Sequence, residues 1–262
     1  MKHLENRKDI AIQAAYEAGN LLRSYNMESI DAKFKGQVDL VTGADTTCEK
    51  LIMDHIHQTF PDDAILSEEH NAHAHLDSGW IIDPLDGTTN FSRGYPLFGP
   101  SIAWRSARNR VDIGVVYNPL LDEMFWAVRG GGAWCNQSRL QVSQTDDLSH
   151  ALLSGGTPYD LHQRPDEIQS TWNHLMLKTL SLRQDGSAAL DLCHVAAGRT
   201  DAHFEVGLAP WDVAAGILLV EEAGGTISTY HGGSFTLSSP SILASNNLLH
   251  DILLSELNRQ NI

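Results

Sequence analysis

Cysteine is scarce in this chain: Cys48, Cys135 and Cys193 are the three it has, and none forms a Cys-x-x-Cys pair. That excludes a disulfide framework or a zinc finger and suits a reducing, cytoplasmic setting. No apolar run approaches the roughly 18 residues of a membrane span. The opening segment, MKHLENRKDIAIQAAYEAGN, mixes charges and lacks the apolar stretch of a signal peptide. Basic residues are few, 18 Lys and Arg against 33 Asp and Glu, giving a net charge of −15. Such a surface repels phosphate backbones and anionic bilayers, so neither nucleic acid nor a membrane is an expected partner. The 21 Gly and 9 Pro follow no period, which excludes collagen and low-complexity chains.

What remains is an ordinary globular composition, 42% hydrophobic over 262 residues. That length can bury a large core without staples. Leu4, Ala11, Ala14, Ala15, Ala18, Leu21, Leu22 and Tyr25 carry a helical period over residues 4–25. A second helix is predicted over 46–59, with Asp45 or Thr46 as its N-cap. Short strands are predicted at Ala64–Ser67 and Trp80–Asp83, then a meander at 99–105, 111–117 and 123–128. Beyond residue 150, strands and helices alternate, which argues for layered α/β packing. The chain therefore reads as α/β (α+β), with an N-terminal part at 1–148 and a C-terminal part at 149–262 forming one compact unit.

Three segments carry chemistry. In Trp80-Ile81-Ile82-Asp83-Pro84-Leu85-Asp86-Gly87-Thr88-Thr89-Asn90-Phe91 an apolar strand runs out at Asp83, where Pro84 removes a ladder donor. Asp83 and Asp86 flank the Leu85 carbonyl, and this oxygen set suits Mg²⁺. Gly87, Thr88 and Thr89 open a small-residue loop whose N–H groups can cradle an anion. The same residues also read as an ordinary turn. Ser67-Glu68-Glu69-His70 puts carboxylates at another strand end, where α/β ligands bind, or else in a solvated loop. Pro210-Trp211-Asp212 opens a helix, where Asp212 is a ligand or a cap. Each of the four acids, Glu68, Asp83, Asp86 and Asp212, stands at the end of an element.

The segments Trp80–Phe91, Pro210–Gly216 and Glu222-Ala223-Gly224-Gly225 resemble the inositol monophosphatase family. Further agreement lies in Asp39-Leu40-Val41-Thr42 with Asp45, in Ser67-Glu68-Glu69, in Gly186-Ser187-Ala188-Ala189 and in Arg129-Gly130 with Ala133. The resemblance runs through roughly residues 33 to 226. It implies a layered αβαβα sandwich and Mg²⁺-dependent phosphomonoester hydrolysis by a metal-activated water. By position, Glu68, Asp83, Asp86, Asp212 and the Leu85 carbonyl would ligate two or three Mg²⁺ ions. Glu68, Asp45 and Thr88 would serve catalysis, the last two by orienting water. Asp86, Gly87, Thr88, Ala188, Glu205 and Asp212 would contact substrate. Lys35 matches a family lysine with spacing one residue short.

The resemblance also implies Li⁺ inhibition, a homodimer and a small phosphorylated metabolite as partner. A Lys after Gly-Thr, typical of the bisphosphonucleotide branch, is replaced here by Thr89, which favours inositol monophosphate. Fructose 1,6-bisphosphate, histidinol phosphate and 3′,5′-bisphosphonucleotides are the alternative substrates, since fold does not fix function. A regulatory or binding protein on the same scaffold is the alternative of another class. His55, His57, His70, His73 and His75 read as a solvated patch in preference to a transition-metal site, because their spacing is irregular and no Cys joins them. Trp104, Trp126, Trp134 and Trp172 read as packing residues.

Overall fold

The computed structural model describes residues 2–25, 32–34, 40–72, 76–106, 110–158 and 165–258. Helix α1 (Lys2–Ser24) precedes a small antiparallel pair, β1 (Ala32–Phe34) and β2 (Leu40–Thr42). Helix α2 (Gly43–Thr59) follows directly. A seven-stranded sheet is then built in chain order from β3 (Ile65–Ser67), β4 (Gly79–Asp86), β5 (Gly99–Ser106), β6 (Arg110–Asn118), β7 (Glu123–Val128), β8 (Ala133–Cys135) and β9 (Ser138–Arg139). The short helix α3 (Thr88–Ser92) interrupts it after β4. β3 and β4 are parallel, and the later neighbours are antiparallel, as hairpin connections require.

The second half contributes β10 (Leu152–Gly155), α4 (Pro165–Met176), β11 (Ser181–Arg183), α5 (Ala188–Ala196), β12 (Ala202–Val206), α6 (Pro210–Glu222), β13 (Thr226–Ser228), β14 (Ser241–Ser245) and α7 (His250–Asn258). Its strands form a five-stranded sheet in the order β11-β10-β12-β14-β13. β10 pairs in parallel with β11 and β12, while β14 runs antiparallel to both of its neighbours.

Period-2 alternation decides which layer each strand residue joins. Trp80 and Ile82 of β4 pack under α1 and α2, against Ala11, Ala14, Ala15, Ala18, Leu22, Ile52 and Ile56. The intervening Ile81 points the other way, into a core shared with Leu192 of α5 and Val213 and Leu218 of α6. Ile242 and Ala244 of β14 close that core from the second sheet. Phe204 and Leu243 face outward to Leu175 of α4 and to Leu253 and Leu257 of α7. The order of layers is thus αβαβα. Each fully buried Leu, Ile or Phe contributes roughly 1.5–3 kcal/mol, so the two cores flanking the first sheet hold the site's backbone rigidly. The tryptophans pack as expected: Trp104 meets Trp80 edge-on at 5.2 Å, and Trp126 stacks on Trp134 at 5.6 Å. Among the described residues no helix is long and apolar enough to cross a membrane.

Three local expectations need correction. β4 does not end at Asp83: its pairing with β5 breaks between Asp83 and Asp86 and then resumes at Asp86 opposite Gly99. Pro84 withholds one N–H, and the strand bulges around it. The residues after Gly87 are helical, not a loop. The N-cap of α2 is Thr42, whose hydroxyl accepts from the Ala44 N–H at 3.1 Å, while Asp45 completes a capping box from inside the helix. Lys35, His73 and His75 lie outside the described residues.

Candidate functional site

The parallel register of β3 and β4 sets Ser67 opposite Ile82, and the Glu68 N–H donates to the Ile82 carbonyl at 3.3 Å. Glu68, just past the end of β3, and Asp83, at the break in the pairing of β4, therefore lie on adjacent strands. Asp83 is buried, and its Oδ1 accepts the Leu85 N–H at 2.9 Å across the Pro84 bulge. Burial, then the charges of Glu68, Asp86 and Asp212, push its pKa well above the usual carboxylate range. Asp86 accepts two bonds on Oδ2, from the Ser187 hydroxyl at 2.5 Å and from the Ala189 N–H at 2.8 Å. Burial raises its pKa to about 6 against the pull of these donors.

Asp212 stands in the first turn of α6, where its Oδ2 accepts the Ala209 N–H at 2.7 Å. It caps the helix with one oxygen and faces the other acids. Burial and repulsion from Asp86, Glu68 and Glu205 raise its pKa strongly. The fold thus brings all four acids into one field: Glu68 from the turn after β3, Asp83 and Asp86 from β4, and Asp212 from α6. Carboxylates forced together without a counter-charge stay protonated to higher pH. Their oxygens, with the Leu85 carbonyl, make an all-oxygen donor set of the kind hard divalent cations take.

Asp45 and Thr88 meet beside this group. Asp45 Oδ2 accepts the Thr42 N–H at 2.8 Å and the Thr42 hydroxyl at 2.6 Å. Asp45 Oδ1 accepts the Thr88 hydroxyl at 3.0 Å, and the Leu85 carbonyl oxygen lies 3.1 Å from the same hydroxyl. Burial raises the Asp45 pKa. Gly87 begins the turn into α3 at φ 84°, ψ 39°, in the left-handed region, and a Cβ there would lie 2.8 Å from the Leu97 carbonyl oxygen. Both the conformation and the space demand glycine.

A cleft of about 470 Å³ opens between these elements, lined among others by Asp86, Asn90, Ala188, Asp191, Glu205 and Asp212. Glu205 enters it from β12. Ala188 enters at the start of α5, which Ser187 caps. Among the described residues, one triplet of potential metal-ligating atoms lies within 4.8 Å of one another: Asp185, Asp191 and His194. Arg199 lies near His194 and, after burial, lowers its pKa, a charge that opposes a cation there. Of the histidine patch, His55 bonds Glu17 at 2.7 Å, His70 Nδ1 bonds the buried Glu49, and His57 is exposed.

Sequence reading gave no role to several residues that build this site. Ser187 anchors Asp86, and a Ser before a helix is a legible N-cap signal. Asn90 ties Leu97 to Asp185, donating to both carbonyl oxygens at 2.7 Å. Glu49, fully buried on α2, accepts the Glu69 and His70 N–H groups at 3.1 and 3.3 Å and so fixes the turn that carries Glu68. No local pattern announces that contact.

The inositol monophosphatase family matches residues 3–261. The Nus factor SuhB of Pasteurella multocida is 43% identical over 241 residues, 90% of either chain. The inositol monophosphatase of Anabaena superposes with a TM-score of 0.89, at 39% identity, covering 98% of this chain and 97% of that one. The Thermotoga maritima IMPase superposes with a TM-score of 0.90, at 34% identity, covering 98% of each. The chain belongs to the inositol monophosphatase family, and that membership supports a phosphatase.

Proposed function

We propose that this chain hydrolyses the phosphate monoester of a small polyol, with inositol monophosphate as the first candidate. The observation that carries the reading is the mutual repulsion of Glu68, Asp83, Asp86 and Asp212, two of which, Asp86 and Asp212, line one cleft. When bound, Mg²⁺ held by those four acids and the Leu85 carbonyl supplies charge neutralisation and Lewis acidity for phosphoryl transfer. The protein's own part is positioning. Thr88 donates a hydrogen bond to Asp45 and keeps its lone pairs for an attacking water, which it orients. The Gly87 and Thr88 N–H groups hold the phosphate oxygens. Ala188 and Glu205 meet the polyol.

Among the described residues lining the cleft none is Lys or Arg. The carboxylates that line it, Asp191 and Glu205 among them, suit the hydroxyl donors of a polyol body. Li⁺ inhibition, a homodimer, a cytoplasmic setting and the organisation of 1–148 and 149–262 into one catalytic unit belong to the same reading. The test is phosphate release from inositol 1-phosphate, histidinol phosphate, fructose 1,6-bisphosphate and a 3′,5′-bisphosphonucleotide, with Mg²⁺, with EDTA, and with Mg²⁺ plus Li⁺. Mg²⁺-dependent, Li⁺-sensitive release that is fastest from inositol 1-phosphate is expected. Release from none of them by folded, Mg²⁺-loaded protein overturns the reading.

A second reading is favoured by the name of the relatives, Nus factor SuhB, at 43% identity. On it the chain also serves a transcription-related complex, and the exclusion of nucleic-acid partners from net charge is withdrawn. An Asp86→Asn variant that retains a partner in pull-down while losing turnover supports this role.

A further inference from the structure

His203 is fully buried on β12, two positions before Glu205. The strand's alternation turns His203 and Glu205 to the same side, towards α5, while Ala202 and Phe204 face the opposite core. An imidazole in that position needs an account, because it occupies a place that an apolar residue would fill at lower desolvation cost. Its partners supply one. Nδ1 lies 3.0 Å from the Ser154 hydroxyl, whose residue pairs with His203 across β10 and β12. The same nitrogen lies 3.7 Å from Asp191 Oδ2 on α5. Nε2 lies 3.2 Å from Glu205 Oε2, within ion-pair distance though off the line of an aligned hydrogen bond.

We infer that His203 is a positioning residue which holds the Glu205 carboxylate toward the substrate's hydroxyl groups, so that this chain selects phosphate esters with a hydroxylated body. The inference rests on the phosphatase reading and deepens it. The proton inventory supports it. Glu205 is the acceptor facing Nε2, so Nε2 carries a proton, whether the ring is neutral with Nδ1 accepting from Ser154 or charged with both nitrogens donating. Burial pulls the His203 pKa down, yet Glu205, Asp191 and Asp86 outweigh burial and leave it raised. In either state the Nε2 edge of the ring faces one specific carboxylate, in a cleft also lined by Asp86, Asp191 and Asp212. Glu205 has little room elsewhere, because Gly156 lies against its carboxyl on the other side. A carboxylate held this way presents its remaining lone pairs to hydroxyl donors in the cleft.

The test compares inositol 1-phosphate with phenyl phosphate, whose leaving group carries no aliphatic hydroxyl, for wild type, His203→Phe and His203→Gln. Thermal melts and circular dichroism check each variant's fold. Expected for His203→Phe is a rise of about ten-fold in KM for inositol 1-phosphate, with kcat within about two-fold and both constants for phenyl phosphate unchanged. His203→Gln keeps an N–H donor and recovers much of the loss. Equal damage to both substrates means a merely structural role and overturns the inference, as does no change with either. If His203→Phe does not fold, His203→Met, which also lacks an N–H donor, takes its place: a KM rise confined to inositol 1-phosphate supports the inference, and any other outcome overturns it. If the wild type releases phosphate from neither ester, the phosphatase reading has failed and the inference falls with it. If the wild type is active and selectivity does not move, the inference alone has failed.

Discussion

The Thr88 hydroxyl donates to Asp45 Oδ1 at 3.0 Å, joining α3 to α2 across 43 positions of sequence. The other oxygen of Asp45 is held twice by Thr42, so Thr88 meets an acceptor that cannot turn away. A hydroxyl whose proton is committed has a fixed lone-pair direction, which is what orienting a nucleophile requires. Thr88→Val keeps the shape and removes the proton. It is expected to lower kcat by about 100-fold, with KM within a few-fold, and to lower the melting temperature by a few degrees for the lost donor to Asp45. Steady-state kinetics check this, and a kcat close to wild type would remove Thr88 from the reaction.

Asp86 reads differently, because its charge is opposed by its surroundings. Asp86→Asn keeps an acceptor for Ser187 and Ala189 and deletes a charge that repels Asp83 and Asp212. The variant is expected to melt no lower than wild type in EDTA, to lose the stabilisation that Mg²⁺ gives, and to lose turnover by about 1000-fold or more. Near-normal phosphate release from the variant would sink the assignment of Asp86 to metal binding.

The pH dependence follows from the same charges. Folding raises the Asp86 pKa from 3.8 to about 6, and Asp83 and Asp212 move in the same direction. The folded, metal-free protein therefore binds more protons than the unfolded chain. The stability these groups contribute is full below their ordinary pKa and is lost as pH rises through the folded value. Mg²⁺ takes the deprotonated acids and reverses this loss. At a concentration 100 times its Kd a ligand adds about 2.7 kcal/mol, roughly 5–10 °C for a chain of this size. Thermal melts with Mg²⁺ and with EDTA should differ by about that much at pH 7.5 and by far less at pH 5. Equal shifts at both pH values would contradict the assignment.

Most of the layered fold was legible because its signals are local: the Ala face of α1, the meander of β5 to β7 and the alternation after residue 150. The acids drew notice for the same reason: Glu68 follows β3, Asp86 closes β4 and Asp212 opens α6, while Asp83 lies inside β4 at the break in its pairing. What escaped depends on distant partners. Pro84 reads as a strand end, yet tertiary pairing carries β4 past it to Asp86. Asp45 reads as a cap from outside α2, and the structure makes it the third residue of the helix, closing a capping box begun by Thr42. Glu49 reads as one more polar helix residue, and only the neighbouring turn makes it a clamp. The two-residue strand β9 and the short β8 are too brief to carry a period.

Gly156 offers the sharpest steric test of the cleft. A Cβ at this position would lie 1.9 Å from Glu205 Oε1 and 2.2 Å from Oε2. No backbone strain is involved, and the three heavy atoms nearest to that Cβ all belong to the Glu205 carboxyl group. Glu205 is 9% exposed and has His203 on its other side, so it cannot swing clear without leaving that partner. Gly156→Ala is therefore expected to displace the carboxylate and cost about 1–3 kcal/mol in overpacking, read as a lower melting temperature. With polyol phosphates KM should rise. With phenyl phosphate the kinetics should stay close to wild type, because the acids at β4 and α6 are untouched. Serine at 156 carries the same Cβ and should behave alike. A Gly156→Ala protein that melts like wild type and keeps its KM for inositol 1-phosphate would show that Glu205 has freedom to move, and the fixed-carboxylate account of selectivity would have to go.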